Sequence, residues 1–288
     1  MNIMSEASVA LLGVKGGPAI KPGSNMPCSH LVKLAGKNIV VDAGLGVARG
    51  ICDQSVELTE IDMIIITHLH SDHYLELGPL FHTAWTAGLN KPIKVIGPKG
   101  LQDYWDGFLL SMKFDIDLRI EDEGRCDLSA LFAFEEIVEG EIFAGDDLTI
   151  TTLKNIHPPI EESYAIRIQA GNKAVTLSGD TTYMPELADF AKSSDVLVHE
   201  ALLLKGVDAL CKSLGVKDDR LKNHLLRSHT AAGDVGKIAS KAEVKALALN
   251  HLVPGADPSI TEQDWVDAVR EHWQGELHIG KDGMKIEF

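Results

Sequence analysis

The stretch Ile61-Asp62-Met63-Ile64-Ile65-Ile66-Thr67-His68-Leu69-His70-Ser71-Asp72-His73 decides how this chain is read. Its first half is an apolar, β-branched run and reads as a buried strand. Its second half sets three imidazoles and a carboxylate within six positions, where that strand ends. A strand end is a rigid platform, and the loop after it can turn several side chains toward one point. Nitrogen and oxygen donors gathered there suit a borderline cation such as Zn²⁺. Left unpaired beside a buried strand, the same groups would be costly.

Three further donors stand in similar places. His157 follows the apparent strand Leu148 to Leu153, Asp180 follows Ala174 to Leu177, and His251 follows Ala246 to Asn250. Singly, each has an ordinary explanation. A histidine after a strand is more often a hydrogen-bonded structural residue, and an aspartate in Ser178-Gly179-Asp180-Thr181-Thr182 can be a turn residue. Together they place potential ligands at the ends of four strands, which is how a sheet edge focuses donors on one point.

The rest of the chain alternates groups of strands with helices. Ser8 to Val14 reads as a strand before the loop Gly16-Gly17-Pro18, and Leu31 to Leu34 with Ile39 to Val41 as a hairpin around Gly36-Lys37-Asn38. Helices are expected from Leu45, over Tyr74 to Leu89 and over Leu101 to Met112, with a short strand at Ile93 to Ile96 between the last two. Residues 113–146 are the least readable, with one strand candidate at Leu131 to Val138 and a solvated turn at Glu121-Asp122-Glu123. Strands at Tyr164 to Ile168, Val196 to His199, Leu277 to Ile279 and Met284 to Glu287 follow, with helices at Pro185 to Lys192, Ala231 to Lys241 and Ile260 to Trp273. No linker divides the halves, so one domain over residues 1–288 is expected. Two sheets with helices outside would bury both faces of each, an α/β (α+β) layering.

Bulk composition narrows the function. The chain has 288 residues, 45% hydrophobic and 24% charged, a balance that permits a full core. Its net charge of −15 argues against a nucleic-acid partner, although bound cations would offset part of it. Residues 1–6 lack a secretory pattern, and no apolar run approaches the ~20 residues of a membrane span. Cys28, Cys52, Cys126 and Cys211 form no CxxC pair and read as reduced thiols of a cytoplasmic protein.

The pattern HxHxDH at His68 to His73, with His157, Ser-Gly-Asp-Thr around Asp180 and a final His251, resembles the metallo-β-lactamase superfamily over nearly the whole chain. The resemblance implies an αββα sandwich with metals at one edge. It implies one metal on His68, His70 and His157, another on Asp72, His73 and His251, and Asp180 bridging both. That nitrogen and oxygen shell suits two divalent ions, zinc first, with manganese or iron admissible. Antibiotic-opening lactamases usually carry cysteine where Asp180 stands, and the diiron flavoproteins carry glutamate where His70 stands. The chain is also too short for the extra domain of β-CASP members.

Val196-Leu197-Val198-His199-Glu200-Ala201 resembles the His-Glu-Ala motif of the tRNA 3′-processing endonucleases (the RNase Z group) and related arylsulfatase-like hydrolases. Ser228-His229-Thr230-Ala231 resembles their His-Ser-Thr-Ala segment with serine and histidine displaced. These residues give a catalytic set of Asp72, His199, Glu200 and His229. Asp72 would bind metal and accept the nucleophile's proton, and a histidine oriented by Glu200 would assist the leaving oxygen. The nucleophile would be a hydroxide shared by the two metals.

That group's tRNA-gripping arm has no room here, because residues 158–179 are consumed by two strands and a turn. A small-molecule substrate is therefore expected: a carboxyl ester or lactone, a phosphodiester or a sulfate ester, with nucleic acid and membrane set aside. Trp85, Tyr104, Trp105, Phe108, Met112 and Phe114 fit a core by helical spacing, or else an apolar lid that recognises such a substrate. His30, His82, His224, His272 and His278 fit no ligand spacing and read as structural or surface residues. The rival readings are a tRNA 3′-endonuclease that finds tRNA through a partner, and a non-catalytic metal-binding sensor. The resemblance also implies a homodimer.

Overall fold

The computed structural model describes residues 7–145, 147–255, 257 and 259–288, so the reading of residues 1–6 lies outside the described residues. The first sheet is built from β1 (Ser8–Gly13), β2 (Ser29–Leu34), β3 (Lys37–Ala43), β4 (Met63–Ile65), β5 (Ile93–Gly97) and β6 (Phe132–Glu136). The second contains β7 (Gly140–Ala144), β8 (Thr149–Lys154), β9 (Tyr164–Ala170), β10 (Lys173–Leu177), β11 (Val196–Leu202), β12 (Ala246–Val253) and β13 (Glu276–Ile279). The last strand, β14 (Met284–Glu287), returns to the first sheet and pairs antiparallel with β1. The strand orders are β14-β1-β2-β3-β4-β5-β6 and β13-β12-β11-β10-β9-β8-β7. Each sheet has a parallel half, β3 to β6 in one and β10 to β13 in the other.

Side-chain alternation sorts the layers. Val9, Leu11, Val41 and Ile65 of the first sheet meet Ile166, Val175, Val198 and Ala248 of the second in one cluster between the sheets. Their alternate neighbours Ala10, Leu12, Val40 and Ile64 face outward and meet helices. Leu197, Leu247 and Leu249 do the same on the second sheet. A strand covered on both faces reads as a continuous apolar run, and β1, β11 and β12 are buried at every position. Each large apolar side chain so buried contributes ~1.5–3 kcal/mol relative to exposure. The layering is helix–sheet–sheet–helix, as the sequence and its resemblance imply.

The helices over the first sheet are α1 (Val47–Asp53), α2 (Ser71–Tyr74), α3 (Leu77–Thr86) and α4 (Leu101–Glu123). Those of the second half are α5 (Glu186–Phe190), α6 (Val207–Ser213), α7 (Arg220–Ser228), α8 (Ala232–Ala242) and α9 (Glu262–Arg270). Residues 113–123, expected to be turns, continue α4, where i,i+4 pairs Lys113–Asp117, Arg119–Asp115 and Arg119–Glu123 lace its exposed side. Strand β7 was also hidden from pattern reading, because none of its residues is fully buried.

The aromatic segment is core and not a lid. Trp105 is 2% exposed and stacks on Phe132 at 4.5 Å between ring centroids. It also packs on Phe81 and Phe108, while Trp85 donates its indole N–H to Cys126 O. Tyr104 is tied by its hydroxyl to Gly78 N and Leu75 O. Phe114 is 85% exposed and lies in neither place.

Candidate metal centre

The carboxyl ends of the parallel strands converge on one sheet edge, the usual place for a site in such folds. From β3 comes Asp42, from the segment after β4 come Thr67 to His73, and from the loop after β10 comes Asp180. Glu200 comes from β11 and His251 from β12. His157, beyond β8, reaches in from the other side. Two of these positions are held in left-handed backbone, Asp42 at φ 63 and His251 at φ 42. Such conformations are uncommon in non-glycine residues and persist where surroundings over-determine them. His251 sits inside β12 opposite a register shift with β11, so a bulge turns its ring inward. Gly179, at φ +57, permits the turn before Asp180, since a Cβ there would lie 2.5 Å from Tyr164 O.

All seven sequence-predicted ligands meet. Asp180 Oδ2 lies 3.7 Å from His68 Nε2, 3.8 Å from His157 Nε2, 3.4 Å from His73 Nε2 and 3.1 Å from His251 Nε2. His70 Nδ1 stands 3.2 Å from His68 Nε2 and 3.0 Å from His157 Nε2. Asp72 Oδ2 stands 3.2 Å from His251 Nε2 and 3.6 Å from His73 Nε2. Donor atoms on a tetrahedral ion with bonds of ~2.0–2.2 Å lie roughly 3.3–3.6 Å apart. The spacing therefore fits a cluster that can hold divalent metal, with Asp180 at its centre.

Outer hydrogen bonds fix the ring tautomers. Thr67 Oγ1 donates to Asp42 and so accepts from His68 Nδ1 at 3.0 Å. His73 Nδ1 donates to Asp42 Oδ2 at 2.8 Å, and His157 Nδ1 donates to Ser228 O at 2.8 Å. In neutral rings this leaves the Nε2 lone pairs of His68, His73 and His157 aimed at a carboxylate oxygen. His73 Nε2 is buried with no hydrogen-bond partner. Lone pairs facing an anion repel unless a cation lies between them, so the donor set fits a His/Asp site for divalent metal. The carboxylates draw positive charge to the same place, a proton where no cation is bound: burial opposes charge on His73, yet Asp180, Asp42 and Asp72 hold its imidazole well above the usual range. Burial also opposes charge on Asp72, but His73 and His251 hold its carboxyl below the ordinary carboxylate range.

The second line of candidates divides. Glu200 Oε1 accepts from Thr181 N at 3.2 Å and Thr230 N at 2.9 Å, and its Oε2 lies 3.4 Å from His229 Nδ1. The His229 ring is 5.3 Å from His157 and 5.4 Å from His251, centroid to centroid. Burial works against its charge, but Glu200, with Asp180 and Asp72 behind it, outweighs burial and raises the imidazole to about 9. The C-terminus of α7, which His229 caps, also favours a cation. His199 is elsewhere. It does not end a strand, because β11 runs on to Leu202. Alternation puts it on the outer face with Leu197, and its Nδ1 is engaged by Glu200 O at 2.7 Å. It supports the strand and does not reach the cluster.

Two contributors escaped the sequence. Asp42 orients both His73 and the His68–Thr67 pair, and only its place at the end of β3 hinted at this. His224 of α7, read as structural, has its ring 6.2 Å from His70 and 6.2 Å from His229. The region around α6 and α7 had no sequence expectation that would have placed it there. The first glycine loop also takes part: Gly17 N donates to Asp72 Oδ2 at 2.7 Å, and a Cβ on Gly16 would lie 2.9 Å from His251 Cε1.

The chain has relatives among known proteins, by sequence and by fold. Residues 8–247 match the family described as "Anti-Pycsar protein Apyc1". A protein named Ribonuclease Z from Mycolicibacterium gilvum is 27% identical over 282 residues, covering 97% of this chain and 95% of that protein. Among solved structures, the metallo-β-lactamase-fold protein YhfI from Bacillus subtilis superposes with TM-score 0.70 and 22% identity, over 98% of this chain and 100% of that one. Human short-form tRNase Z superposes with TM-score 0.68 and 17% identity, over 97% and 98%. These relatives overturn the expectation of a small-molecule substrate with nucleic acid set aside. Among the described residues no helix is long and apolar enough to cross a membrane.

Proposed function

We propose that this chain, which belongs to the family described as anti-Pycsar protein Apyc1 and is a metal-dependent hydrolase of the metallo-β-lactamase superfamily, hydrolyses phosphodiester bonds of RNA. One observation carries the reading: a single carboxylate oxygen, Asp180 Oδ2, lies within 3.1–3.8 Å of four imidazole nitrogens. In this reading His68, His70 and His157 would hold one divalent ion and Asp72, His73 and His251 a second, with Asp180 contributing to both. Zinc is the first choice for that shell. Two bound ions supply Lewis acidity toward a phosphoryl oxygen and bring the pKa of water down to about 7.

The chain's own groups do the rest. Asp72 is fixed by Gly17 N–H and stands ready to accept the attacking water's proton. Glu200 keeps His229 protonated, with Nδ1 turned to the carboxylate and shut off from solvent. The proton that His229 can give the departing ribose oxygen is therefore on Nε2. His70 and His224 are only partly buried and form the open side of the cluster. The unpaired cysteines fit work in the cytoplasm.

The test is cleavage of precursor tRNA and of unstructured RNA by purified protein of known metal content. Turnover with Zn²⁺ or Mn²⁺, loss on chelation and loss in Asp180→Asn are expected. Full metal occupancy without cleavage of any RNA would refute the proposal. A second reading rests on the family match over residues 8–247: the same site counteracts Pycsar. Expression of the intact chain, but not of Asp180→Asn, should then cancel Pycsar activity in cells that carry it, and equal behaviour of the two would exclude it.

A further inference from the structure

Charge is distributed unevenly over this chain. Its net charge is −15, yet residues 204–228 contain Lys205, Lys212, Lys217, Arg220, Lys222 and Arg227 against Asp208, Asp218 and Asp219, a net of +3. That segment holds α6 and α7, and it abuts the metal centre. The α7 carbonyl Ser228 O accepts from His157 Nδ1, and Ser228 Oγ donates to Pro158 O at 2.6 Å. Leu221 and Leu225 seat the helix against Leu202, Val207 and Val253.

Helical spacing then sorts the remaining side chains. Arg220, His224 and Arg227 stand at i, i+4 and i+7 and share one face. The His224 ring lies 6.2 Å from His70 and 6.4 Å from His157, so this is the face that turns to the cluster. Arg220 stands ~6 Å beyond His224 along the axis, at 1.5 Å per residue. Its side chain is 91% exposed, although Asp218 accepts from it at 2.8 Å. Arg227 is exposed. Lys222, on another face, is engaged by Asp208 at 2.7 Å.

We propose that Arg220, His224 and Arg227 form a rail that takes the RNA backbone flanking the scissile phosphate. The rail supplies the grip that the missing arm supplies in the RNase Z group. Guanidinium groups suit this role because they match phosphate oxygens two at a time. The inference rests on the RNA reading above. It goes further by naming the surface that holds the substrate outside the cluster.

The experiment compares wild type, Arg220→Ala/Arg227→Ala, and a control pair, Lys91→Ala/Lys192→Ala, that removes two exposed charges elsewhere. Each metal-loaded protein is assayed on a single-stranded RNA and on bis(4-nitrophenyl) phosphate, over a range of salt. The arginine pair is expected to raise KM for RNA about tenfold more than KM for the small diester. Its dependence of log KM on log salt should flatten by about 1.4, at ~0.7 for each single-strand phosphate that an arginine no longer neutralises. The control pair should leave both unmoved. Three results overturn the rail: equal KM changes on the two substrates, an RNA KM within twofold of wild type, or an equal loss in the control pair. Cleavage of the small diester by wild type with no cleavage of RNA would instead sink the RNA reading, and the rail with it.

Discussion

Replacing Glu200 by glutamine isolates the proton-donating half of the site. Glu200 Oε1 accepts two backbone N–H groups, from Thr181 and Thr230, and an amide oxygen can keep both. The other atom becomes an NH₂ group facing His229 Nδ1, where Oε2 stood 3.4 Å away. Two donors cannot face each other, so His229 must offer a lone pair and lose its cationic form. Its imidazole then falls from about 9 toward the unperturbed ~6.5, because burial opposes its charge and the support of Asp180 and Asp72 is the smaller part. At pH 8 the protonated fraction drops from ~0.9 to ~0.03, a roughly thirtyfold loss, or about 2 kcal/mol of barrier. The loss should appear in kcat for RNA, whose leaving alkoxide needs a proton. It should shrink to less than threefold for bis(4-nitrophenyl) phosphate, whose leaving group departs as the anion. The sign of the pH dependence follows. Wild type loses activity as pH rises through about 9, and Glu200→Gln loses it from ~6.5 upward. Equal losses on both substrates, or an unchanged alkaline limb, would refute the reasoning.

Other outcomes follow from the same geometry. Asp42→Asn keeps an oxygen for Thr67 N but turns an NH₂ toward His73 Nδ1, so that ring loses its orienting acceptor and metal retention should weaken ~10–100-fold, read by metal content after dialysis. Gly16→Ala places a Cβ 2.4 Å from Val253 Cγ2 and 2.9 Å from His251 Cε1, so the His251 ring should shift and stoichiometry fall from two ions toward one. Chelation should lower the melting temperature by roughly 10 °C, since ligand at a thousandfold excess over its Kd stabilises by about 4 kcal/mol. His30 is neutral, donating from Nδ1 to Val41 O and accepting from Asn250 at Nε2, and burial lowers it to about 4. The unfolded chain binds that proton near ~6.5, so this contribution is whole above pH 6.5. It is lost as pH falls toward 4, by up to about 3 kcal/mol. Denaturation midpoints across that window should flatten in His30→Gln.

The strands and the ligands were legible for the same reason. A strand buried on both faces must be apolar at every position, so Ile64 or Leu247 announces itself, and a histidine or aspartate at its end stands out. The resemblance then assigned the ligands to two sites, and the structure brings these residues together around Asp180. What stayed hidden has no such contrast. Strand β7 is an exposed edge, α4 shows only Leu101, Trp105 and Ile116 as fully buried, and neither carries a clean period. His199 and Glu200 are adjacent in sequence, and only the continued pleat of β11 separates a structural residue from one that serves the site. His224 was set aside because ligand spacing was the only criterion applied, and a group that stands beside ligands without binding metal has no spacing to betray it.

Net charge misled for a physical reason. The −15 counts Asp42, Asp72 and Asp180, which are buried and face imidazoles, and two divalent ions would bring the total to −11. What remains is spread over a surface on which charges more than a Debye length away, ~8 Å at physiological ionic strength, are largely screened. A phosphate approaching the cluster meets the imidazoles of His70 and His224, with the arginines of α7 on the same helix as His224, and the acidic turns elsewhere only weakly. The same chain can thus be acidic in bulk and receptive to a polyanion at its cleft. The consequence is measurable. If the local field decides, cleavage of RNA should weaken with added salt, because the contacts that matter are cationic. If the bulk charge decides, salt should speed it, because screening would relieve repulsion.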